Sequence, residues 1–144
     1  MRKILFLAII ISFIALISMN LFKLEAKEME NFVQIFDQNN IDDNIKGYIE
    51  GVKDNEGIYQ MEDLYIIALG PKPNSGYGIK YVKEELRDKT LKVYLEKTTP
   101  APDMFYAQVI SYPCLVLKIS SPIEDIEFID IKTNQPLTMN TTGN

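Results

Sequence analysis

The sequence predicts a mainly β fold: an antiparallel β-sandwich or partly open barrel with a short N-terminal helical lead-in. Three observations carry this. From Ile58 onward, short runs of β-branched and aromatic residues recur, divided by Pro- and Gly-containing turns. Leu91, Val93 and Leu95 alternate with Lys92, Tyr94 and Glu96, the period of a strand with one wet face. Helical spacing is confined to the residues before about 53.

Taken in order, residues 1–26 read as a signal peptide or a membrane anchor. Arg2 and Lys3 precede an uncharged run from Ile4 to Phe22, and Leu24-Glu25-Ala26 offers a cleavage point after Ala26. The run is also close to the roughly 20 residues that cross a bilayer, so cleavage and retention both stay open. Either outcome places the rest of the chain outside the cytoplasm, as a secreted or membrane-tethered domain, because the basic residues precede the apolar run.

Residues 27–57 form the helical lead-in. Phe32, Val33, Ile35 and Phe36 suggest a first apolar stripe, broken at Asp37-Gln38-Asn39-Asn40. Asn40 or Asp42 caps a second helix bearing Ile45, Tyr48, Ile49 and Val52. Residues 58–139 form the β domain. Leu64 to Leu69 is a continuous apolar run, as expected of a strand covered on both faces. It ends at Gly70-Pro71-Lys72-Pro73-Asn74-Ser75-Gly76, where two prolines lack amide donors and Gly76 permits positive φ. Strands follow over 77–82 and 91–96, with a turn at Asp88-Lys89. After the stiff 98–103 loop, further strands are expected over 105–112, 115–119 and 126–131. Pro113 marks a bend, and the adjacent Phe128 and Ile129 suggest a bulge. Residues 140–144 are a polar tail.

Composition narrows the function classes. Formal charge is −5, which disfavours nucleic acid and anionic lipid, so the membrane enters only through the N-terminal segment if it is retained. There is no His, which removes Ser–His and Cys–His nucleophiles and His-ligated zinc. Cys114, in an apolar setting, reads as an inert buried thiol. Gly70 to Gly78 fails as a phosphate loop: Tyr77 stands where Lys belongs and a strand follows. Counting a calcium loop from Asp37 puts Asp42 and Tyr48 where Gly and Glu are required. No catalytic residue, metal site or cofactor is therefore expected, and the chain reads as a non-enzyme. Glu84, Glu85, Glu124, Asp125 and Asp130 leave a carboxylate-dependent hydrolase as the less favoured reading.

Ile67-Ala68-Leu69-Gly70-Pro71-Lys72-Pro73-Asn74-Ser75-Gly76-Tyr77, then Pro100-Ala101-Pro102, then Ser111-Tyr112-Pro113 resembles the C-terminal domain of the PrcB family. That family looks like a strand, Gly-x-Lys-Pro-(Thr/Ser)-Gly-Gly-Tyr, a strand pair, a Pro-x-Pro loop and a Thr-Tyr-Pro strand. The likeness spans about residues 63–131, with Asn74-Ser75 in place of Thr-Gly and Ser111 in place of Thr. It implies an exported, non-catalytic accessory domain that works with a secreted protease. A fainter likeness is to chagasin-type protease inhibitors, whose Asn-Pro-Thr-Thr-Gly-Tyr loop is similar in shape to Lys72–Tyr77.

The expected partner is therefore a protein, with a protease as the class the resemblance implies. The contact residues are Lys72, Pro73, Asn74, Ser75, Gly76 and Tyr77, with Tyr112 and Pro113 beside them. The loop is stiffened by Pro73, so docking it costs little entropy. Two other readings stand: the loop is a purely architectural corner with Tyr77 packed inside, or the chain is a structural cell-envelope module.

Overall fold

A computed structural model describes residues 31–120 and 123–140. The N-terminal segment and the end of the tail, with the expectations attached to them, lie outside the described residues. Among the described residues, eight strands form two four-stranded sheets. The first sheet has the order β1-β6-β3-β2, built from β1 (Val33–Phe36), β6 (Cys114–Ile119), β3 (Leu64–Leu69) and β2 (Glu56–Met61). The second has the order β4-β5-β7-β8, from β4 (Gly78–Arg87), β5 (Thr90–Thr98), β7 (Asp125–Asp130) and β8 (Gln135–Pro136). The α-helix α1 (Asp43–Val52) is capped by Asp42, whose side chain accepts from the Ile45 amide.

The apolar pattern explains the layers. Tyr65, Ile67, Leu115, Leu117 and Ile119 meet Leu91, Val93, Leu95 and Phe128 between the sheets, with Tyr65 and Phe128 ring centroids 5.3 Å apart. Leu64, Ile66, Ala68 and Val116 point the other way and are covered by Ile41, Ile45 and the apolar stripe of α1. β3 is thus buried on both faces, as its unbroken apolar run requires. Arg87-Asp88-Lys89-Thr90 closes the β4–β5 hairpin with positive φ at both Asp88 and Lys89, the backbone of a two-residue turn.

Four local expectations change. Val33–Phe36 is a strand, not a helix, because it pairs with β6 along Val33↔Ile119 to Phe36↔Val116. Residues 105–112 form no strand; only Ser111 bridges, to Lys72. β5 and β7 run parallel, so the second sheet is mixed. The chain passes through the other sheet, as β6, before returning, and a crossover of that kind permits parallel pairing. The ladder is regular at Phe128 and Ile129, and the irregularity lies between Tyr81 and Lys83 instead.

That irregularity has a structural effect. The residue added at Val82 moves Lys83 opposite Tyr94 and turns Glu84 inward, opposite Val93. The Glu84 carboxylate then accepts from the amides of Phe32 at 2.7 Å and Val33 at 3.1 Å, and from the Tyr81 hydroxyl at 3.2 Å. The start of β1 is thereby tied to the edge of the other sheet. An inward carboxylate on an edge strand also discourages sheet-to-sheet association. Glu84→Ala is expected to destabilise the domain by about 2 kcal/mol, since two backbone donors lose a charged acceptor; Glu84→Gln falls between. Denaturant unfolding of both variants checks this.

Burial, with Glu84 beside it, pushes the Tyr81 hydroxyl up to about 12. A raised value means the neutral hydroxyl is favoured in the folded state. Its stabilisation is complete below the ordinary tyrosine value of about 10 and is lost as pH climbs towards 12. Thermal unfolding from pH 9 to 12 is expected to show a smaller alkaline loss in Tyr81→Phe than in the wild type.

Candidate interaction site

Two loops are laced together. The 70–77 loop leaves β3, and the long 99–113 loop joins β5 to β6. Lys72 and Ser111 exchange backbone hydrogen bonds at 2.8 and 3.0 Å, and the Ser75 amide donates to the Ala107 carbonyl at 3.2 Å. Side chains add to the lacing. Ser75 Oγ accepts from the Ala107 amide at 3.1 Å, and Ser111 Oγ donates to the Asn74 carbonyl at 2.7 Å. Within the longer loop the Ala101 amide donates to the Tyr106 hydroxyl at 3.0 Å.

The residues expected to make contacts mostly hold this arrangement. Asn74 folds its side chain back so that Oδ1 accepts from the Gly76 amide at 2.9 Å, a turn closed by the side chain itself. Gly76 does not use positive φ; that conformation belongs to Gly70, at 68°. Gly76 is required for a different reason: a Cβ there would lie 2.8 Å from the Tyr106 ring and 2.9 Å from Pro100. Lys72 Nζ lies 3.8 Å from Glu56, and Tyr77 is half-buried. Pro73 and Ser75 are exposed. On the return leg, Lys53 sits 4.8 Å above the Tyr112 ring, and the Pro113 carbonyl accepts from the Leu69 amide. Lys53 also pairs with Glu50, which holds its ammonium above the usual lysine value.

What the lacing presents was not singled out by its sequence pattern. Met104 is 63% exposed, Val109 59%, Ile110 66%, and Phe105 projects wholly into solvent. Four large apolar side chains on one braced loop are unusual for a surface, where apolar residues are normally scattered singly. Between Thr98 and Leu117 the only charge is Asp103. That absence of charge, bracketed by Pro102 and Pro113, was the available signal, but it is equally the signal of a buried strand. Cys114, just past the loop, has its thiol pushed up to about 11 by burial, well away from the range of an activated thiolate.

Ser75→Ala is expected to cost only about 1 kcal/mol or less, one partly exposed hydrogen bond. Its local signature is faster hydrogen exchange at the Ala107 amide, with exchange in β3 and β6 unchanged.

Residues 64–120 match the family model described as PrcB C-terminal, the resemblance read from the loops. The matched segment runs from β3 through β6 and contains both laced loops. No curated protein and no solved structure matches the chain.

Proposed function

Taking residues 64–120 as a PrcB C-terminal segment, we propose that this chain is an exported, non-catalytic accessory domain that docks a protein partner. The resemblance makes a secreted protease the partner class. The observation that carries the reading is the apolar set Met104, Phe105, Val109 and Ile110, held out by a loop fastened to the 70–77 corner. Interfaces gain most of their energy from a few large side chains that fill pockets on the partner. A loop already fixed in place loses little entropy when it docks. In this reading Lys72 to Gly76 work chiefly as the brace and Pro73 as its exposed rim, while the 104–110 segment makes the central contact.

The test is site-specific photo-crosslinking in the producing cell. A benzophenone side chain is placed at Phe105 or Ile110, and at Glu127 on the second sheet as a control. The reading expects adducts with one identified protein from the first two positions and none from the third. Adducts confined to the control position, or none at the loop in cells that export the protein, would overturn it.

A further inference from the structure

Beside the edge strand β2, the described residues line a half-open pocket of about 260 Å³. Its floor is aliphatic: Ile58, Ile67, Leu69 and Leu137. Its charged lining is the Glu56–Lys97 pair, with Lys97 Nζ 2.5 Å from Glu56 Oε1. Lys72 Nζ approaches the other carboxylate oxygen at 3.8 Å. Two ammonium groups thus share one carboxylate, leaving a local positive excess in a chain whose formal charge is −5.

One wall is the strap that follows β8, residues 137–140. The Leu137 amide donates to the Phe128 carbonyl at 2.8 Å, and the Asn140 amide donates to the Ile58 carbonyl at 2.9 Å. Asn140 Nδ2 donates to the Glu56 carbonyl at 3.2 Å. Gly57 makes this approach possible, since a Cβ there would overlap the Asn140 side-chain amide. The strap therefore closes the side of the sandwich through a few hydrogen bonds at its last residue, rather than through a long ladder.

We propose that this pocket binds the carboxylate end of a short aliphatic chain. The tail lies on Ile58, Ile67, Leu69 and Leu137, and the carboxylate sits at Lys97, displacing part of Glu56's contact. Apolar walls with a few placed polar groups are the usual form of a small-ligand site, and the volume lies just under the ~300 Å³ at which such sites begin. The ligand is accordingly small, with a short aliphatic chain. The same chemistry occurs in a free fatty acid and in a peptide C-terminus with an aliphatic last residue. The proposal is independent of docking by the 104–110 loop.

The experiment uses the full chain, ¹⁵N-labelled, titrated with sodium octanoate, with octylamine, and with the peptide Gly-Ser-Val-Leu as free acid and as amide. Octanoate, the free-acid peptide or both are expected to shift the amides of Gly57, Ile58, Leu69 and Leu137 saturably. Lys97→Gln is expected to weaken that binding roughly tenfold, the loss of one charge-assisted contact. Binding of the free-acid peptide but not its amide identifies a peptide end as the ligand; binding of octanoate alone identifies a free acid. Absence of saturable shifts with either carboxylate overturns the proposal. So does an equal response to octylamine, or full affinity in Lys97→Gln.

Discussion

Replacing Phe105 and Ile110 together with aspartate is expected to weaken capture of the partner by at least about thirtyfold, the effect of losing a hot spot worth some 2 kcal/mol. Thermal stability is expected to stay the same or rise slightly. Both side chains are exposed, so their removal leaves no cavity. Two aspartates at the centre of an apolar contact must be desolvated without a partner, which adds to the loss. Affinity measured against the crosslinked partner, with unfolding midpoints alongside, checks both halves. A variant that keeps full affinity would move the docking face elsewhere, and one that loses stability would show that the loop packs inward.

The largest effect on the fold itself is expected from Phe128→Ala. Phe128 is 2% exposed, meets the Tyr65 ring across the two sheets at a tilt of 49° and pairs with Val93 in the parallel β5–β7 ladder. Removing it leaves a void between layers that cannot collapse without moving both sheets. The expected cost is about 3–5 kcal/mol, against a typical domain stability of about 5–15. Chemical denaturation gives the measurement. Phe128→Leu, which keeps more of the volume, is expected to retain a larger share of the stability.

The strands were legible where periodicity and burial agree. Leu91, Val93 and Leu95 alternate in sequence and face inward in the structure, and the unbroken 64–69 run is covered on both sides. Asp42 as a cap and Asp88-Lys89 as a turn were legible because their chemistry is local. Val33–Phe36 was not, since four residues cannot distinguish helix from strand and its pairing with β6 is remote in sequence. The internal contacts of the 70–77 loop were not legible for the same reason. Asn74, Ser75 and Gly76 look like a presented corner, yet their side chains or their small size serve the neighbouring 99–113 segment. Phe105 to Ile110 has the composition of a strand, and only the absence of a pairing partner leaves it in solvent.

The amino-acid sequence by itself determined the fold class, the existence of a rigid Pro-bracketed corner and the likeness to the PrcB C-terminal domain, because all three follow from local pattern and residue chemistry. Tertiary structure alone decided that β5 and β7 run parallel, that Glu84 turns inward to hold β1, and that the corner is hydrogen-bonded to an exposed apolar loop. Those outcomes depend on which distant segment meets each residue, and burial is a property of the assembled layers rather than of any stretch of chain.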